Sequence, residues 1–315
     1  MDILYIIIGL ALVLAGADRL TEGAAAVAER FRVSEFMIGL TIVAVGTSMP
    51  ELVVSASAAL RGSGDMAVGN IVGSNIFNVF VILGICALIS PLPLTKHNVR
   101  YDIQIALFAS VLLFVFASDR LLHIGEVDRI GRIEGAVLFV CYLASLVYTV
   151  RTSKRRDSKS AAKPRMGMWE AGVWIVAGLA ALIGGSRLFV DGASSFAHRM
   201  GISEAVIAVT LVAGGTSLPE LASSVASVVK GRKGMALGNV IGSNIFNILF
   251  ILGGCSMITP LALGGIGVGD LIMLLLSALL PFVFAYTFRG RAVNRVEGAL
   301  LLAIYGIYMW QLVAK

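Results

Sequence analysis

The chain has 315 residues, 58% of them hydrophobic and 14% charged, and a mean hydropathy of +0.91. Soluble domains carry about 25% charged residues, so this composition excludes an ordinary soluble enzyme or binding module and implies an integral membrane protein. The net charge of +6 is no nucleic-acid footprint, because the basic residues gather in short loops between apolar segments.

A bilayer-spanning helix needs about 20 mostly apolar residues, and ten segments qualify. The first, 2–26, opens "MDILYIIIGLALVLAGA". It carries Asp2 and no basic leader, so it reads as a retained spanning helix and not as a cleaved signal. The second, 36–60, contains "VGTSMPELVV", with Glu51 deep in apolar sequence. The third, 67–90, contains "GNIVGSNIFN". Segments four and five are 102–117 and 133–150. The basic run "RTSKRRDSKSAAKPR" at 151–165 then reads as a solvated linker. Segments six to ten are 169–195, 205–229, 235–257, 267–287 and 296–313. Cys86, Cys141 and Cys255 are scattered in apolar sequence, with neither metal spacing nor a disulfide framework. His97, His123 and His198 fall in predicted loops.

Basic residues set the orientation. Loops on one side (27–35, 91–101, 151–168, 230–234 and 288–295) hold seventeen Lys and Arg, against six on the other side. The positive-inside rule puts both termini outside.

The seventh segment repeats the second. "GGTSLPELAS" at 214–223 follows its counterpart by 169 residues, and "GNVIGSNIFN" follows "GNIVGSNIFN" by the same interval. From 22 to 91 the register holds without a gap, and 34 of those 70 positions are identical. A repeat of this length defines the architecture. Residues 1–150 form a first five-helix repeat, 151–165 the linker and 166–315 the second repeat. Five is odd, so the second repeat is inverted relative to the first. The fold class is all-α: ten transmembrane helices as two inverted-topology five-helix repeats. That arrangement is typical of secondary transporters, whose sites lie near the midplane on interrupted helices. Pro50 and Pro219 supply interruptions just before Glu51 and Glu220, and Gly69, Gly73, Gly238 and Gly242 are expected to loosen segments three and eight.

Intramembrane carboxylates are rare and functional. Two brought together repel each other, and a bound cation removes that cost. The predicted donors are all oxygen: carboxylates of Glu51 and Glu220, amides of Asn78 and Asn247, and hydroxyls of Thr47, Ser48, Thr216, Ser217, Ser74 and Ser243. Ala44 and Ala213 add freed carbonyls. Such a set disfavours zinc and copper and suits calcium, sodium or manganese. Asn78 and Asn247 each lie 27 residues after a glutamate, a separation that fits a helical hairpin returning to the same depth. Asn75 and Asn244 are expected to act as interhelical hydrogen-bond glue.

The paired "GTSMPE"/"GTSLPE" and "GNIVGSNIFN"/"GNVIGSNIFN" strings resemble the two α-repeats of the sodium/calcium exchanger family, and the resemblance covers essentially the whole chain. It implies sodium exchanged for calcium by alternating access, with the first and sixth helices sliding over the bundle; Gly9, Gly16, Gly178, Gly184 and Gly185 are compatible with sliding. It also implies Glu51 and Glu220 as calcium-site carboxylates, and Ser74 and Ser243 as flanking sodium-site serines. No cofactor, nucleic-acid partner or enzymatic role is expected. The expected location is the inner (plasma) membrane, and one chain suffices for transport. Potassium-dependent relatives carry an aspartate where this chain has Asn247, which argues against potassium dependence. The proton/calcium branch lacks the "GTS-x-PE" string, which argues against proton coupling. A channel normally needs a symmetric pore, and an enzyme would need a base beside Ser48 or Ser217.

Overall fold

The computed structural model describes residues 2–118, 128–153, 166–200, 213–287 and 291–313. Its helices, in chain order, are α1 (Asp2–Phe31), α2 (Glu35–Thr47), α3 (Met49–Leu60), α4 (Gly64–Ile89), α5 (Asn98–Phe116), α6 (Arg132–Ser153), α7 (Met168–Arg199), α8 (Ala213–Thr216), α9 (Leu218–Val229), α10 (Lys233–Ile258), α11 (Val268–Thr287) and α12 (Arg295–Val313). Four two-residue strands pair antiparallel. β1 (Leu92–Pro93) pairs with β4 (Ala292–Val293), and β2 (Arg129–Ile130) with β3 (Leu261–Ala262). Among the described residues, seven helices are long and apolar enough to cross a membrane, or eight if the bent pair α2–α3 counts as one span.

Burial orders the helices. In the most apolar 18-residue stretch of each helix, 94% of the residues are buried in α10 and 78% in α4, but only 11% in α6. α4 and α10 therefore form the centre, and α6 belongs to a largely apolar exterior with residues such as Ile133 and Val140 exposed. An exterior of this kind suits lipid as solvent.

The halves interlock. Gly84 of α4 packs against Gly298 of α12, and its counterpart Gly253 of α10 packs against Gly135 of α6. The strand pairs likewise join one half to the other.

α1 and α7 run antiparallel along a seam of small residues seven positions apart. Gly9 meets Gly185, Gly16 meets Gly178, and Gly23 meets Ala171. A heptad of glycines lets two backbones approach closely. Gly184, grouped with these positions in the sequence, has nothing within 4 Å and lies off the seam, while Gly23 and Gly192 lie on it.

Each α3–α4-type hairpin turns on a glycine. Gly62 and Gly231 both have φ of 77°. Gly62 N–H bonds Ala59 O at 3.0 Å and Ser63 N–H bonds Ala58 O at 2.9 Å; Gly231 and Arg232 repeat the pattern onto Val228 and Ser227. This Schellman closure stops one helix and folds the chain back.

Several expectations change. Segment 36–60 is not one helix: it breaks at Ser48 and bends by 47°. Pro50 stands at the start of α3, where its missing N–H costs nothing. Gly238 and Gly242 do not loosen α10. They let Phe36, Leu40 and Ala44 of α2 press onto it. The irregularities in α4 and α10 are π-helical turns, Asn78–Leu83 and Phe246–Leu252, of a kind often found at functional sites. His97 and His198 are helical and not in loops: His97 sits one residue before Asn98, lies parallel to the Tyr148 ring and packs at a tilt against Tyr101, and His198 lies in the last turn of α7. His123, most of linker 151–165 and the first part of segment 205–229 lie outside the described residues.

Candidate functional site: two crossed glutamates

Glu51 and Glu220 each occupy the third residue of a half-helix, two after its first residue and one after proline. A carboxylate at that place faces the positive end of the helix dipole. Both side chains are fully buried, at 0% exposure.

The two half-sites exchange partners. Ser48 donates its hydroxyl to Glu220 Oε1 at 2.8 Å. Ser217 donates to Glu51 Oε1 at 3.1 Å, and Ser74 donates to the same oxygen at 3.3 Å. Each helix break thus solvates the carboxylate of the other half.

The asparagines form a second crossed set. Asn75 Nδ2 donates to Asn244 O, and Asn244 Nδ2 donates to Asn75 O, both at 3.2 Å. Asn78 Nδ2 donates to Asn244 Oδ1, and Asn247 Nδ2 donates to Asn75 Oδ1, both at 3.0 Å. The donor edges of Asn78 and Asn247 are thereby anchored.

Among the described residues of this centre, five buried acceptors then remain without a hydrogen-bond partner: Glu51 Oε2, Glu220 Oε2, Asn78 Oδ1, Asn247 Oδ1 and Ser243 Oγ. Buried polar atoms are nearly always satisfied, and leaving a carboxylate oxygen bare is costly. An oxygen set of this chemistry fits a hard cation. Among the described residues, no third Asp, Glu, His or Cys joins the two glutamates.

The remaining predicted residues differ in placement. Thr47 Oγ1 donates to Asn239 Oδ1 at 3.3 Å and contacts Ala44 O at 3.4 Å. Ala44 O is not freed by the helix break, because Ser48 N–H bonds it at 3.0 Å. Thr216 is half-buried and lines a cavity of about 150 Å³ with Pro50, Val54, Val190 and Asp191. Ala213 opens the α8 turn ahead of Thr216.

Two residues escaped the sequence reading. Asn70 Nδ2 bonds Ser55 Oγ at 2.9 Å and Glu51 O at 3.4 Å. Its counterpart Asn239 bonds Ser224 Oγ at 2.9 Å and Glu220 O at 3.4 Å. They brace the glutamate-bearing turns against α4 and α10. The signal was present: both are the asparagine of the repeated "GN" dipeptide, and Ser55 and Ser224 recur at the same interval.

The fold and site define a helical membrane protein with a duplicated, oxygen-rich centre. Comparison places it further. The sodium/calcium exchanger protein family matches residues 1–151 and 171–314. The sodium/calcium exchanger MaX1 of Methanosarcina acetivorans is 35% identical over 98% of this chain and 97% of its own length. The inner membrane protein YrbG of Escherichia coli is 36% identical over 81% of this chain and 79% of its own. A solved structure of the sodium-calcium exchanger NCX_Mj superposes with a TM-score of 0.84 at 34% identity, covering 98% of this chain and 97% of that one. The chain belongs to the sodium/calcium exchanger family.

Proposed function

We propose that this protein exchanges sodium for calcium across a cell membrane by alternating access. Its ions bind at Glu51 and Glu220 with Ser74, Ser243, Asn78, Asn247 and the hydroxyls of Thr47, Ser48, Thr216 and Ser217. The observation that carries this reading is the crossed pair: Ser48 on Glu220 and Ser217 on Glu51, with five bare oxygens around them. Ala44 and Ala213 contribute carbonyls; Ala44 O keeps a second lone pair beside its bond from Ser48.

Charge then sets the coupling. Two carboxylates balance one calcium ion. Three sodium ions leave one positive charge, so a three-to-one exchange carries current. An ion-free centre leaves two buried charges uncompensated, which disfavours movement without cargo. This favours exchange over leak. The amide of Asn247 adds no charge for potassium, and sodium/calcium exchange is therefore preferred to the potassium-dependent variant and to proton/calcium exchange.

The chain forms ten spans in two inverted repeats, 1–150 and 166–315, joined by the basic linker 151–165. Both termini face outward. β1 pairs with β4, joining the loops at 92 and 292, and β2 pairs with β3, joining those at 129 and 261. The ten-span reading assigns each joined pair to a single side of the membrane, which supports it. Because one chain carries both half-sites, a monomer suffices.

The test is Glu51→Gln, which removes one site charge and keeps the side-chain shape. Purified, monodisperse Glu51→Gln in proteoliposomes should lose calcium-45 exchange. Exchange at the parent rate would disprove the assignment of the centre.

A further inference from the structure

Many contacts repeat at the 169-residue interval, but those of α1 and α7 with the centre do not. α1 packs along α9, and Thr21 of α1 meets Ser227 of α9 at 3.4 Å. By the 169-residue interval, α7 is the counterpart of α1, and α3 of α9. Yet α7 stands off α3, and the cavity of about 150 Å³ lined by Pro50, Val54, Val190 and Asp191 lies between them. Among the described residues, one side of the centre is closed by packing and the other holds this open cavity.

Among the described residues, a cluster of ion pairs joins α1, α2 and the α9–α10 corner on the closed side. Lys230 Nζ pairs with Asp18 and, at 3.0 Å, with Glu22. Arg232 pairs with Glu22 at 3.4 Å and with Glu35 at 2.8 Å. Arg232 is 8% exposed, held inward by the Schellman turn at Gly231. On the open side the counterparts of Lys230, Asp18 and Glu22 are Arg61, Arg187 and Asp191. Among the described residues these three form no ion pair. The Asp2–Arg199 pair at 3.1 Å ties α1 to α7 and so travels with them.

We propose that Lys230 and Arg232 are an ionic latch that holds α1 against the α9–α10 corner, keeps this side of the centre closed, and opens once per transport cycle. When it opens, Arg61 and Asp191 close the opposite side as its weaker counterpart. Among the described residues the two latches are unequal: four contacts to three carboxylates oppose one pair with Arg187, a like charge, beside it. The resting equilibrium is therefore biased towards the state seen here. This rests on the alternating-access reading above, in whose orientation the latched corner is cytoplasmic.

The experiment uses single reporter cysteines in full-length protein with Cys141→Ser; Cys86 and Cys255 are buried. Ala226→Cys reports the closed side, where Ala226 packs against the α1 cluster. Val54→Cys reports the open side. Labelling rates with a small hydrophilic thiol reagent are measured at fixed ion composition. Lys230→Gln with Arg232→Gln should raise labelling of Ala226→Cys and lower that of Val54→Cys, each by roughly three- to tenfold, the scale of a partly buried ion-pair network. Lys230→Arg with Arg232→Lys should leave both rates at the parent value. Asp191→Asn, at an exposed position, should shift them oppositely, raising Val54→Cys labelling. An unchanged Ala226→Cys rate, a rise at both reporters, or a loss of latching with the charge-conserving pair would overturn the proposal. Labelling needs no transport, so a failure of sodium-driven uptake leaves this result to stand or fall separately.

Discussion

Gly184 and Gly185 are neighbours in α7, yet alanine should act on them in opposite directions. A Cβ at Gly185 would lie 2.7 Å from Leu12 Cβ, 2.8 Å from Gly9 O and 2.9 Å from Val13 N. Ordinary contact begins at 3.4 Å, so the seam must part by about 0.7 Å. Two of the three opposing atoms are backbone and have no rotamer to adopt. Overpacking of this kind costs about 1–3 kcal/mol. A Cβ at Gly184 meets nothing within 4 Å, and replacing a mid-helix glycine by alanine contributes up to about 1 kcal/mol. Thermal unfolding of the purified proteins in one detergent should rank Gly184→Ala at or above the parent and Gly185→Ala below it. Equal shifts for the two variants, or a Gly185→Ala protein as stable as the parent, would refute the close-packed seam.

Other consequences concern the centre. Asn75→Ala removes the acceptor that orients Asn247 without removing a proposed ligand; apparent calcium affinity should fall by about 10–100-fold, as for outer-shell partners of metal ligands, and an unchanged calcium KM would discount the crossed amide set. Asn247→Asp adds a carboxylate beside the glutamates and should make calcium exchange depend on potassium; measuring uptake with potassium present and withheld decides this. Exchange of three sodium ions for one calcium should shift the reversal potential with the ion gradients, and an electroneutral cycle would contradict that stoichiometry.

Much of this centre was legible because duplication writes it twice. Glu51 and Glu220 stood out as carboxylates in apolar sequence, and the shared interval implied that they meet. The hydroxyl pairs came with them, although serine and threonine divide the work: Ser48 and Ser217 cross to the opposite glutamate, while Thr47 turns to Asn239. The glycine seam was also written in the chain, as a period of seven through Gly9, Gly16 and Gly23, and Gly184 was misplaced by ignoring that period. Other features left no local mark. A π-helical turn shifts the register of the side chains that follow it, but α4 and α10 are buried on nearly every side around Asn78 and Phe246 and carry no apolar stripe in which the shift would show. The two-residue strands are set by which loops the bundle brings together. The asymmetry between the two sides of the centre is not written in two similar repeats; it lies in how the helices pack in this structure.

The central claim is that sodium, bound at the crossed glutamates, drives calcium across the membrane. The most direct measurement is calcium-45 uptake into proteoliposomes loaded with sodium and diluted into sodium-free buffer, without potassium or a pH gradient. Uptake should be rapid, should vanish when sodium is equal on both sides, and should be absent in Glu51→Gln. Uptake that follows only an imposed proton gradient, and ignores sodium, would contradict the account.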